Sequence, residues 1–166
     1  ALATDLLAFP ITPFDADLAY DEATYVTHLN WMIENEPAGM FAAGGTGEFF
    51  SLSPDEVESV TATTVAEVAG KMPVLTGVGY GRAIALDLTK RAERAGADGM
   101  LLLPPYLIKP SQQGLYEHVK AVCQSTSLGV IVYNRDNAQL NADTLARLCD
   151  DCPNLVGFKD GVGDIE

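Results

Sequence analysis

Short apolar runs alternate with amphipathic stretches along the whole chain. The first run, Leu6-Leu7-Ala8-Phe9-Pro10-Ile11, is continuous, the pattern of a strand covered on both faces. Asp21 and Glu22 then open a helix whose apolar positions Tyr25, Leu29, Met32 and Ile33 share one side, and Pro37 closes it. Residues 39–43 read as a second strand running into Gly44-Gly45-Thr46-Gly47-Glu48, a turn rich enough in glycine to leave backbone N–H groups free. Ser53-Pro54-Asp55-Glu56 is a helix start, with a capping serine, proline at the first position and acids in the first turn.

The same unit repeats. Residues 73–77 form strand three and residues 84–95 its helix, ended by Gly96; residues 98–103 form strand four, stopped by Pro104-Pro105. Ser111 caps a helix carrying Leu115, Val119 and Val122, residues 128–133 form strand five, and a helix follows around residues 143–148. Strand six, residues 155–161, runs through Leu155, Val156 and Phe158 into Lys159-Asp160-Gly161.

Six apolar strands separated by helices imply an α/β fold, with parallel pairing through right-handed crossovers. An open doubly wound sheet and a closed (β/α)8 barrel both fit that alternation. The unusual residues lie just past strand ends: Thr12, Gly45-Thr46-Gly47, Tyr106, Tyr133-Asn134 and Lys159. A barrel gathers those ends at one mouth, so a (β/α)8 TIM barrel is expected. Such barrels take about 250 residues. The 166 residues are therefore expected to be a single domain, 1–166, covering about the first six βα units, with strands seven and eight missing.

Composition narrows the function. With 48% apolar and 20% charged residues the chain is globular rather than disordered. Ten basic against 23 acidic side chains give a net charge of -13, which argues against nucleic acid and anionic membrane as partners. Neither a membrane-length apolar run nor a signal-peptide pattern is present, so a cytoplasmic location is expected. Cys149 and Cys152 form a C-x-x-C at a helix end without a second pair nearby, and two reduced thiols are expected there. His28 and His118 fall on separate helices, and no metal-ligand cluster is visible.

Lys159 is the candidate for chemistry. A strand-end lysine taken alone is ordinarily a solvated surface residue. Held among apolar neighbours, however, an amine can lose its proton and attack a carbonyl carbon.

Gly45-Thr46-Gly47-Glu48, Tyr133-Asn134 and Gly157-Phe158-Lys159-Asp160, in that order, resemble the dihydrodipicolinate synthase and N-acetylneuraminate lyase superfamily of class I aldolase-type (β/α)8 enzymes. Residues 41–52, residues 132–135 and Gly157-Phe158-Lys159-Asp160-Gly161-Val162-Gly163-Asp164-Ile165-Glu166 are most similar to its 5-dehydro-4-deoxyglucarate dehydratases. That resemblance implies a Schiff base on Lys159 and proton transfer by Tyr133. It also implies a carboxylate cradle at Gly45, Thr46 and Gly47, with Asn134 and Arg135 as further substrate-binding residues. The implied reaction is dehydration and decarboxylation of 5-dehydro-4-deoxy-D-glucarate to 2,5-dioxopentanoate, CO2 and water, with no cofactor and no metal, in a homotetramer. Two other readings stand beside it: a pyruvate-dependent aldolase, lyase or synthase of the same superfamily, and a non-catalytic barrel segment.

Two positions depart from the synthase pattern. Gly45 stands where the synthase has threonine, and Leu107 follows Tyr106 where the synthase has a second tyrosine. The hydroxyl relay of the synthase is therefore absent, and Tyr133 must exchange protons by another route. Residues 133–137 also lack the proline common in related lyases, so substrate selection there is expected to differ.

Overall fold

The structure, a computed structural model, describes residues 5–163; Asp164, Ile165 and Glu166 of the last motif lie outside the described residues. Six strands and five helices alternate: β1 (Leu7–Ala8), α1 (Glu22–Ile33), β2 (Gly39–Ala42), α2 (Pro54–Val68), β3 (Val74–Val78), α3 (Arg82–Arg94), β4 (Gly99–Leu102), α4 (Gln112–Gln124), β5 (Gly129–Asn134), α5 (Ala142–Asp151) and β6 (Leu155–Asp160). A single 3-10 turn, Phe49–Ser51, lies between β2 and α2. The strands pair in chain order, and the pairs β1–β2, β2–β3 and β5–β6 are parallel. Among the described residues no helix is long and apolar enough to cross a membrane.

The chain packs as two compact units. The first comprises the stretch ending at Gly77 together with Arg91–Gly99; the second comprises Val78–Lys90 and the chain from Met100 onward.

In the first unit the helix starts follow the sequence signals. Asp21 caps α1 by accepting from the Thr24 amide at 3.0 Å, and Ser53 and Glu56 form a reciprocal capping box on α2. Gly96, at φ 81°, ends α3: the Ala97 amide reaches back to the Ala92 carbonyl, a turn that only a residue tolerant of left-handed backbone closes cheaply. Tyr25, Leu29, Met40, Phe49, Val60 and Val68 fill the core. Two hydroxyl pairs are sealed within it: Tyr25 with Thr64 at 2.9 Å, and Thr61 with Thr76 at 2.7 Å. Burial favours such groups only when they satisfy each other. Outside the core, Arg91 bonds Asp55 and Glu58, and Arg94 grips both oxygens of Glu58 at 2.9 Å. The two guanidiniums hold the Glu58 carboxyl below its ordinary range.

In the second unit, Leu88, Leu101, Val119, Val122, Val132 and Leu148 form the core. Ser111 caps α4 and Asn141 caps α5, each side chain accepting from an amide three residues on.

Strand burial departs from expectation at both ends of the sheet. Strands β2, β3 and β4 are buried at every position, as their continuous apolar runs imply. The first run does not lie in a doubly covered strand: Leu7 and Ala8 are half-buried, and Leu6 and Ile11 are exposed. Strand β6 alternates half-buried Leu155, Gly157 and Lys159 with exposed Val156, Phe158 and Asp160. Both strands lie at sheet edges, where apolar residues meet fewer neighbours; the sequence pattern records apolarity, not coverage.

Candidate active site

The expected site residues fall into two groups, one in each unit. In the first unit the chain leaves β2 through Ala43, at φ 45°, and turns over Gly44-Gly45-Thr46-Gly47 before Glu48, at φ 57°, sends it into the 3-10 turn. The Glu48 and Phe49 amides close the turn on the Gly45 and Gly44 carbonyls at 3.2 and 3.1 Å. Among the described residues, the Gly45, Thr46 and Gly47 amides donate to no protein acceptor. Gly45 and Thr46 are exposed, as residues of an anion cradle must be. Gly47 is buried and close-packed: a Cβ there would lie 3.0 Å from the Pro10 carbonyl oxygen and 3.2 Å from Ala43 Cα. Its own carbonyl accepts from the Thr12 hydroxyl at 2.8 Å.

In the second unit β5 and β6 place Tyr133 opposite Lys159, and Asn134 opposite Asp160. Opposed residues of a pair project to the same side, so the phenol and the amine emerge together. Lys159 Nζ sits over the Tyr133 ring, 4.3 Å from its centroid, where the electron-rich face attracts a cation. The phenol oxygen accepts from Arg135 Nη1 at 3.0 Å, and the guanidinium carbon lies 5.8 Å from the ring centroid. Bonding to the phenol and proximity to Asp136 raise the already high Arg135 pKa. One tyrosine thus brings together the two nitrogen cations of strand ends β5 and β6.

Asn134 has a different position from its neighbours. It is buried, its side-chain oxygen accepts from the Leu140 amide at 2.8 Å, and its side-chain nitrogen faces Asp160 at 3.4 Å. Its backbone carbonyl also accepts from the Gly161 amide at 2.8 Å. These contacts make it a tie between the β5 and β6 ends. Asp160 accepts from the Val162 and Gly163 amides at 3.0 Å each, and those bonds hold its carboxyl below the usual range. Gly161 passes so near the ring that a Cβ would lie 2.5 Å from Tyr133 Cε2.

Sequence reasoning missed Thr12 as a support of the cradle and Asn137 as a support of the Arg135 loop. The first was noticed only as a polar residue past a strand end; the second carried no signal. Cys149 and Cys152 are free thiols, as their C-x-x-C without a second pair nearby implies. Cys149 is exposed, whereas Cys152 is buried near Cys123 of α4. Burial and the neighbouring sulfur push the Cys123 thiol up to about 12. Among the described residues, no group of three or more His, Cys, Asp or Glu side chains could hold a metal ion.

The sequence model of the dihydrodipicolinate synthetase family matches residues 3–166. The chain belongs to that family. A protein from Bradyrhizobium sp. named "Probable 5-dehydro-4-deoxyglucarate dehydratase" is 61% identical over 165 residues, covering 99% of this chain and 53% of its own length. One of the same name from Rhizobium rhizogenes is 60% identical over 166 residues, 100% of this chain and 55% of its own. The chain therefore spans about half the length of the curated relatives it matches. Among solved structures, dihydrodipicolinate synthase from Bacillus anthracis superposes with a TM-score of 0.89 at 34% identity, over 99% of this chain and 57% of its own. The chloride-inhibited synthase from Acinetobacter baumannii, complexed with pyruvate, gives 0.90 at 34% identity, over 97% and 56%. The six strands and the five helices between them are those of the amino-terminal part of the family's (β/α)8 barrel.

Proposed function

We propose that the family member containing this chain is a Schiff-base dehydratase that converts 5-dehydro-4-deoxy-D-glucarate to 2,5-dioxopentanoate, CO2 and water, and that it works in the cytoplasm as a homotetramer. The observation that carries the mechanism is Lys159 Nζ lying over the Tyr133 ring at 4.3 Å. The choice of substrate rests on relatives of that name at about 60% identity.

Lys159 Nζ gives up a proton and adds to the substrate keto carbon, and loss of water from the carbinolamine gives a protonated imine. The adjacent CH2 is acidified by that imine. Its proton leaves to Tyr133 or to a water beside Lys159, and the resulting enamine expels the β-hydroxyl as water. Loss of the distal carboxylate as CO2 then sends its bonding electrons along the conjugated chain to the imine nitrogen. Reprotonation and hydrolysis release 2,5-dioxopentanoate and restore the amine. Around this chemistry the Gly45, Thr46 and Gly47 amides take the carboxylate beside the keto group, and Arg135 takes the distal one.

Borohydride added with substrate to the full-length protein should fix a covalent adduct on Lys159, located by peptide mass spectrometry. Absence of the adduct ends the proposal. A pyruvate-dependent aldolase is the second reading, favoured by the pyruvate complex of the Acinetobacter baumannii relative. Release of CO2 from 5-dehydro-4-deoxyglucarate selects the first reading, and release of pyruvate selects the second.

A further inference from the structure

Arg135 is a long side chain on a loop, more than half exposed, and such a group ordinarily loses much of its binding value to its own freedom. The loop beneath it is nevertheless tied at several points. Its far end is held where the Leu140 amide meets Asn134 Oδ1, and its turn is closed by the Ala138 amide on the Arg135 carbonyl at 2.9 Å. Its middle is held by Asn137. That half-buried side chain donates both amide hydrogens, one to the Pro105 carbonyl at 2.7 Å and one to the Ile108 carbonyl, on the segment after β4. A planar NH2 group with two donors meets two acceptors here, and a carboxylate of the same size would offer none.

The tie bears on charge recognition. Arg135 Nη1 rests on the Tyr133 phenol and Nε faces Asp136 at 3.3 Å, while Nη2 has no protein partner among the described residues. In a chain of net charge -13, a substrate with two carboxylates needs a local cation held in place.

We propose that Asn137 is a positioning residue that fixes Arg135 as the receptor for a second carboxylate, so that the site selects dicarboxylate 2-keto acids over monocarboxylates of equal length. This rests on the Schiff-base reading above. Asn137 touches no substrate; it acts by pinning the loop from which the guanidinium projects.

Borohydride trapping on the full-length protein tests it with two six-carbon acids, 2-oxoadipate and 2-oxohexanoate, which differ only in a distal carboxylate against a methyl group. The native protein should be half-trapped at a concentration of 2-oxoadipate about tenfold below that of 2-oxohexanoate, the scale of one charged hydrogen bond. Asn137→Asp should bring that ratio close to one by weakening 2-oxoadipate alone. Asn137→Ala, which removes the donors without adding charge, should do the same, and unchanged trapping of 2-oxohexanoate shows that the fold and the amine are intact. A native-like ratio in both variants overturns the inference, as does equal trapping of the two acids by the native protein. Equal weakening towards both acids overturns it too, because general damage to the fold has that effect. If neither acid is trapped by the native protein, the Schiff-base reading falls and this inference falls with it.

Discussion

The Thr12 hydroxyl donates to the Gly47 carbonyl at 2.8 Å, joining the segment after β1 to the turn after β2 across 35 residues. Thr12 is 5% exposed, so replacing its hydroxyl by a methyl strands an acceptor away from water. Thr12→Val should cost about 1–3 kcal/mol of stability by urea unfolding. On the proposed function it should also raise the KM for a 2-keto acid, because the turn assigned to the substrate carboxylate loses its anchor at Gly47. Thr46→Val, at an exposed position, should leave the unfolding midpoint nearly unchanged.

Glycines 77 and 45 should respond oppositely to alanine. A Cβ on Gly77 would lie 2.1 Å from the Ala43 carbonyl oxygen and 2.9 Å from Phe49 Cδ2, whereas one on Gly45 meets nothing within 4 Å. Gly77→Ala must push apart backbone in a filled core and should cost about 3 kcal/mol. Gly45→Ala should shift stability by no more than about 0.5 kcal/mol. Thermal unfolding of the two variants side by side decides it.

Stability should fall on mild acidification because of His118. Burial, followed by the nearby Arg82, holds its folded-state pKa below 6.5, and its Nε2 is sealed without a partner among the described residues. The unfolded chain therefore binds the proton more readily. Stability from this group is complete above pH 6.5 and is lost as the pH drops from there towards the folded-state value. Urea midpoints at pH 7.5 and 5.5 should differ in that direction, and His118→Gln should flatten the difference.

The thiols should separate by reactivity. Cys149 is exposed, while Cys123 and Cys152 are buried with raised pKa values. Thiolate is the reacting form, so iodoacetamide at pH 8 should label Cys149 at least tenfold faster than either of the others, as read by peptide mass spectrometry.

What the sequence made legible was what short-range chemistry dictates. The apolar runs of β2, β3 and β4, the Ser53 and Ser111 caps and the Gly96 stop each announce themselves within a few residues. Tyr133 and Lys159 were singled out by their order and by a resemblance to a family, and what the structure adds is that β5–β6 pairing puts them on one side of the sheet. Contacts that join distant elements left no such trace. Nothing near Thr12 reveals Gly47, and nothing near Asn137 reveals Pro105 or Ile108. The closeness of Cys149 and Cys152 in sequence says nothing of their burial: Cys149 is exposed, whereas Cys152 is buried. The edge strands misled for a similar reason: Val156 and Phe158 are as apolar as any core residue, and only the topology tells that their side of β6 is open.

The hydroxyls of Thr61 and Thr76, sealed together at 2.7 Å, constrain more than this one molecule. Valine at position 61 alone strands the Thr76 oxygen, whereas the Thr61 hydroxyl, which also donates to the Val57 carbonyl at 2.6 Å, keeps a partner when valine replaces Thr76. Descent through single changes is therefore open in one order, position 76 before position 61. Relatives that lack the hydroxyl at position 61 should lack it at position 76 as well.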